Sequence, residues 1–158
     1  MTRQEIVDTL RALPGQVEEL VQGLPGQDAL RWRPSPDQWS IKEVCAHLRD
    51  STEFDGTRIR RMVEEDDPFL PAYDQDALAR ERDYQNEAMP AILTAIRAFS
   101  GGLAYLLENL DEEDWQRPGR HEERGPVSVG QYAEHSADHA RVHLEQLRAL
   151  REQALTSS

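Results

Sequence analysis

Three times in this 158-residue chain a hydroxyl residue is followed, three positions on, by Glu or Gln at the head of an apolar run: Thr2 with Glu5, Ser40 with Glu43, and Ser128 with Gln131. Each such pair can satisfy two backbone N–H groups that the first turn of a helix leaves without partners, so each marks a helix start. Trp39 and Val44 flank the second pair, and Val127 and Tyr132 the third, at the spacing of a hydrophobic staple. The apolar residues that follow recur at helical period. The first run uses Ile6, Leu10, Leu13, Val17, Leu20, Val21 and Leu24, and Pro14-Gly15 is expected to kink it. The second, from Ser40, uses Ile41, Val44, Cys45, Leu48, Ile59, Met62 and Val63, and sets His47 at the edge of that face beside Ser51 and Phe54.

A third helix is expected from about Pro90 through Ile92, Leu93, Ile96, Phe99, Leu103, Leu106 and Leu107 to Leu110. Gly101 and Gly102 weaken its middle by roughly 1 kcal/mol each relative to Ala, so either a backbone approaches closely there or the helix bends. The fourth starts at Ser128 and carries Tyr132, Leu144, Leu147 and Leu150. The Trp32–Trp39 segment, with two prolines, reads as an ordered connection; E-E-D-D-P-F-L-P-A-Y-D-Q-D reads as a loop, with a short helix around Ala77 to Tyr84. The stretch from Trp115 to Val127 reads as a polar, turn-rich loop. Strict alternation of β-branched residues is nearly absent, so a sheet has little support. Four long amphipathic helices in a single domain spanning residues 1–158 pack most simply as a bundle, an all-α fold.

Charge narrows the partners. Thirty acidic residues against 18 basic ones give a net charge of −12, which repels a phosphate backbone and argues against nucleic acid. Cys45 is the sole cysteine, so no intrachain disulfide can form, and a reducing cytoplasm fits. No stretch is read as approaching the ~20 apolar residues of a membrane span, and M-T-R-Q-E-I-V-D lacks the apolar core of a signal peptide. A soluble cytoplasmic protein is expected, with no membrane partner.

His135, His139 and His143 fall at four-residue intervals in Y-A-E-H-S-A-D-H-A-R-V-H-L-E-Q-L. Residues four apart on a helix are neighbours, so at least two of these imidazoles can converge on one point, as in helical H-x-x-x-H zinc sites. A solvated polar stripe is the plain alternative. With His47 on the second helix and His139 and His143 on the fourth, a bundle can turn imidazoles from two helices inward, enough for a three-ligand centre with an open position. Spacing alone also permits a register using His135 and His139.

The run W-x-R-P-x-P-x-x-W-S-x-x-E-V-x-x-H-L-R-D-S-x-E from Trp32 to Glu53, then P-F-L-P-A-Y-D, the E-E-D-W-Q-R-x-G-x-H loop and the closing H-x-x-x-H-x-x-Q together resemble the DinB-like superfamily. The resemblance covers nearly the whole chain. It implies a four-helix bundle connected up-down-down-up, a homodimer, and a divalent metal (Zn, Ni or Fe) held by three histidines. Carried onto this sequence, the metal ligands it implies are His47 from H-L-x-D, and His139 and His143, whose register Gln146 sets. His135 is then a neighbour of the site.

Some relatives use the metal to bind the thiolate of a low-molecular-weight cofactor such as bacillithiol or mycothiol. The resemblance therefore implies a metal-dependent S-transferase acting on a small electrophile, with a metal-dependent hydrolase or a non-catalytic, stress-associated dimer as the alternatives. Asp50, one turn from His47, is the nearest partner for its second ring nitrogen, or else a plain surface carboxylate. Tyr132 and Gln146 share the histidine face and can line a pocket, while Trp32 and Trp39 read as packing residues. The S-G-G interruption of the third helix departs from the family pattern, and no residue identifies the substrate or a catalytic group.

Overall fold

The computed structural model describes residues 1–157. In chain order it contains α1 (Arg3–Val21), α2 (Gln27–Arg31), α3 (Ile41–Glu64), β1 (Phe69–Leu70), α4 (Gln75–Glu81), a 3-10 turn (Tyr84–Asn86), α5 (Met89–Glu108), α6 (Glu112–Gln116), β2 (Pro118–His121), β3 (Gly125–Ser128) and α7 (Val129–Thr156). The three hydroxyl residues at the helix starts each close a reciprocal capping box, Thr2 on α1, Ser40 on α3 and Ser128 on α7. Asp111 closes another on the short α6.

The long helices form a four-helix bundle, and side-chain pairs give their directions. The Met1 ammonium meets Glu134 and Arg151 donates to the Leu20 carbonyl, so α1 and α7 run the same way. Arg11 pairs with Glu108 and Arg97 with Glu18, so α5 runs against α1. His47 lies level with His139 while Arg58 lies level with Tyr132, so α3 runs against α7. The connection is therefore up-down-down-up. Both α1 and α3 pack on α5 and α7, which places α1 and α3 across one diagonal and α5 and α7 across the other.

The core has two parts stacked along the bundle. One gathers Leu13, Val44, Leu48, Ile92, Ile96 and Leu147; the other gathers Leu10, Ile59, Leu103, Leu107, Val129 and Tyr132. Burying each large aliphatic side chain contributes about 1.5–3 kcal/mol. Helix α1 continues through Pro14, which has no N–H to offer the Leu10 carbonyl four residues back. That carbonyl is not orphaned, because the buried Ser100 hydroxyl of α5 donates to it. The S-G-G segment is thus explained in part: α5 is continuous, and its contact with α1 is made at Ser100. A Cβ added at Gly101 or Gly102 would meet nothing within 4 Å, so no neighbouring group within the described residues crowds the glycine pair.

Two expectations are corrected. Helix α5 is long and apolar enough to cross a membrane by length and composition, because its apolar residues extend beyond the buried stripe. It nevertheless stands as a wall of the bundle, with Ile92, Ile96, Leu103 and Leu107 buried. The segments read as loops around Phe69 and between Trp115 and Val127 instead supply a small three-stranded sheet, β1 parallel to β2 and β2 antiparallel to β3. Strands of two and four residues carry too short a pattern to register as alternation. Arg117 fastens this sheet to the bundle by donating to the Met62 and Glu65 carbonyls at the end of α3. Gly119 fits closely there, since an added Cβ would lie 3.0 Å from the Met62 side chain and 3.2 Å from that of Leu70, which would have to give way.

Candidate metal centre

The capping box at Ser40 starts α3 so that His47, less than two turns later, faces the bundle interior, and it is only 2% exposed. The box at Ser128 sets the phase of α7, which presents His139 and His143, one turn apart, to the same point. Nε2 of His139 lies 3.3 Å from Nε2 of His47 and 3.0 Å from Nε2 of His143. The three side chains each offer a ring nitrogen within 4.8 Å of the others. His135 is not part of this group. Its ring stacks on that of His139 at 6.0 Å between centroids, one turn further from the convergence point.

The hydrogen bonds around the trio decide what its nitrogens can do. His143 Nδ1 lies 2.7 Å from Gln146 Oε1, an acceptor, so Nδ1 carries the proton and Nε2 presents a lone pair to the centre. Burial, then the neighbouring imidazoles, lowers His47 to about 3 and His139 to about 4. His143 is also lowered by burial, with the Gln146 bond acting the other way. All three rings are therefore neutral at physiological pH, the form that ligates.

Donor set and spacing both fit a divalent cation. Nitrogens bound at about 2.0–2.1 Å to one ion are spaced roughly 2.8–3.4 Å apart when the angle between them is that of octahedral or tetrahedral geometry. The two measured separations fall in that interval. Without a shared ion, Nε2 of His139 must either share one N–H between two neighbours or set its lone pair against that of His143.

The helices are locked in register below the trio by a buried polar chain. Asp55 accepts from the Tyr132 hydroxyl at 2.8 Å and from Ser136 Oγ at 2.6 Å, and Arg58 donates to the Tyr132 hydroxyl at 2.7 Å. Arg58 also donates to the Pro71 carbonyl, tying the β1–α4 segment to the same chain. Burial raises the Asp55 carboxyl above its ordinary value, and the Ser136 and Tyr132 bonds oppose that rise. Sequence reasoning named Tyr132 but missed its partners, which meet it from 77 and 74 residues away. Asp50 does not serve His47. It is fully buried, accepting from Arg49, Arg82 and the Tyr84 hydroxyl, and so is neither a histidine partner nor a surface carboxylate. Trp39 packs its ring 5.0 Å from that of His47 and screens it on one side.

Two cavities open beside the trio. One, of about 390 Å³, is lined by His143 with Trp39, Gln75, Asp76, Gln146 and Leu150. The other, of about 280 Å³, is lined by His139 with Arg58, Tyr73, Gln75, His121 and His135.

An up-down-down-up helical bundle with an inward-facing histidine trio, reached from solvent on two sides, defines the class. The chain belongs to the DinB superfamily, whose pattern matches residues 9–147. It is 30% identical over 112 residues to a protein of Oceanobacillus iheyensis and 22% identical over 147 residues to YfiT of Bacillus subtilis, both carrying names of inferred metal-dependent hydrolases. A protein of Geobacillus thermodenitrificans with the same kind of name is 25% identical over 114 residues. The alignments cover 71%, 89% and 72% of this chain for the Oceanobacillus, Bacillus and Geobacillus proteins, and 81% of YfiT. The chain spans 64% of the length of the Oceanobacillus and Geobacillus relatives.

Among solved structures, that of Bacillus subtilis YfiT superimposes with a TM-score of 0.78 at 21% identity, covering 92% of this chain and 85% of that one. It is described as an unusual four-helix bundle topology. A DinB-like protein of Bacillus subtilis, YjoA, superimposes with a TM-score of 0.65 at 15% identity, covering 97% of this chain and 94% of that one.

Proposed function

We propose that this protein is a divalent-metal-dependent enzyme in which His47, His139 and His143 hold the ion and a small molecule reacts in the adjoining cavities. The observation that carries the reading is the convergence of three neutral imidazoles, one buried and two half-buried, at a point flanked by open space. A structural site normally closes its coordination sphere with a fourth protein ligand, whereas three ligands leave room for a reactant. A cation there lowers the pKa of a thiol or water that shares its coordination sphere far enough to keep it deprotonated near neutrality. The chain's own residues do the rest. Gln146 fixes the His143 tautomer, Trp39 excludes water from one face of His47, and the Asp55 chain holds α3 and α7 at the spacing the three rings need.

Transfer of a small thiol to an electrophile is the first reading of the reaction. Asp55, the carboxylate buried beside the His139 cavity, has both oxygens engaged, which leaves Glu123 and His135 of the same cavity as the groups that can draw a proton from water. A thiol needs less help, because its proton is already the more acidic one. Hydrolysis is the second reading, favoured by the names of the relatives. A homodimer and a cytoplasmic setting belong to the same proposal, and sizing of the purified protein tests the former.

Metal analysis of the purified protein, repeated for single alanine variants, tests the centre. Metal is expected to be lost in His47→Ala, His139→Ala and His143→Ala and kept in His135→Ala. Retention in the first three, or loss in His135→Ala alone, defeats the assignment. Turnover of an aryl halide only when both metal and a small thiol are present supports transfer; turnover of an ester without thiol supports hydrolysis.

A further inference from the structure

The two cavities beside the trio differ in what they offer a ligand. On the His143 side the charged lining groups are Asp37 and Asp76, joined by side-chain amides. The cavity on the His139 side is flanked by the β2–β3 hairpin and the β1–α4 segment, which bring three donors, His121, Arg124 and Tyr73, to it together with the exposed carboxylate of Glu123. His121 Nδ1 accepts the backbone N–H groups of Glu123 and Arg124 at 3.1 and 3.2 Å, so the neutral ring carries its proton on Nε2. The Arg124 side chain lines the cavity without an ion pair or hydrogen bond among the described residues. Tyr73 also lines it, and its ring stacks on Phe54 at 4.5 Å between centroids. Against these donors, both oxygens of the cavity's buried carboxylate, Asp55, are already engaged by Tyr132 and Ser136. A ligand with oxygen acceptors can use these three donors, with Glu123 the one lining carboxylate left to oppose it.

Charge decides which acceptor. The cavity's formal charges are Arg58 and Arg124 against Asp55 and Glu123, two of each sign, so with neutral histidines they cancel. A dianionic phosphate would enter an uncompensated site in a chain of net charge −12, whereas a singly charged carboxylate meets the Arg124 fork and the two neutral donors. We propose that the cavity lined by Tyr73, His121 and Arg124 binds the carboxylate of a small carboxylic-acid substrate. The acid's uncharged remainder then points past His139 toward the trio, because Asp37 and Asp76 repel an anion from the opposite side. The substrate role rests on the metal-enzyme reading above; the carboxylate site itself does not.

Titrating metal-free protein with butyrate and with butyramide, a pair matched in shape and differing in charge, tests it by calorimetry and by NMR of the His121 ring. Butyrate is expected to bind at least about ten-fold tighter, as one charge-assisted hydrogen bond allows. Arg124→Gln and Tyr73→Phe should each erase most of that preference, Glu123→Gln should strengthen butyrate binding, and the remote Arg148→Gln should change nothing. Arg124 has no side-chain partner to lose, so its replacement leaves the fold intact, which circular dichroism checks. Equal binding of the pair, tighter binding of inorganic phosphate than of butyrate, or a preference that survives in Arg124→Gln overturns the proposal. No metal enters this titration, so failure of the metal centre would leave the result standing. Normal metal uptake by a protein with no carboxylate preference would refute this subsite alone.

Discussion

At the scale of single residues, the decisive group beside the trio is a neutral one. Gln146 accepts from His143 Nδ1 and thereby commits Nε2 to the centre, so Gln146→Leu should weaken metal binding by about ten-fold or more, the usual loss when a ligand's supporting hydrogen bond is removed. Competition against a chromogenic chelator measures this, and an unchanged affinity would mean that His143 is oriented by packing alone. The lowered basicities of His47 and His139 make a second expectation. In the unfolded chain these rings take up protons near pH 6.5, but in the folded chain only near about 3 and about 4. Between those limits the unfolded state binds more protons, so the stability of the metal-free protein rises with pH across that window and is lost as pH falls through it. The urea midpoint of chelator-treated protein should therefore drop from pH 7 to pH 4.5. It should drop less in His47→Leu, and a pH-independent midpoint would contradict the buried, neutral state of these rings.

At the scale of elements, Pro14 and Ser100 work as a pair across α1 and α5. Removing the Ser100 hydroxyl leaves a buried carbonyl unsatisfied, at a cost of about 1–3 kcal/mol. Pro14→Ala restores the missing N–H within α1, so Ser100→Ala should be far better tolerated in that background. A double-mutant cycle by chemical denaturation checks it, and strictly additive effects would break the link. This device also marks the limit of what the sequence makes legible. The starts of α3 and α7, and the pairing of His139 with His143, follow from spacing within one helix, so they can be read in advance, whereas His47 joins them only through the packing of two helices, which the family resemblance supplied. Ser100 opposite Leu10, Ser136 opposite Asp55, and His121 and Tyr73 lining one cavity with His139 are meetings of segments far apart in the chain. Nothing local distinguishes these residues from ordinary surface serines, tyrosines or loop histidines. The strands that carry His121 are hidden for the same reason: Pro118, Gly119 and Pro126 read as turn residues, and their pairing is imposed by Arg117 gripping the end of α3.

At the scale of the whole molecule, the diagonal placement of α1 and α3 leaves the trio to be assembled by two antiparallel neighbours, α3 and α7, the second and the last of the long helices. His47 and His139 stand 92 positions apart. An ion held by both would close a loop of that length, and a cross-link over such a span restricts the unfolded chain by about 4–5 kcal/mol. Such a rivet would join distant segments in a protein whose sole cysteine, Cys45, is buried, with its thiol pushed up to about 12 and so out of reach of oxidative bridging. Depletion of the ion would then be felt as a loosening of the entire body, and the supply of a trace metal would govern how long each molecule survives.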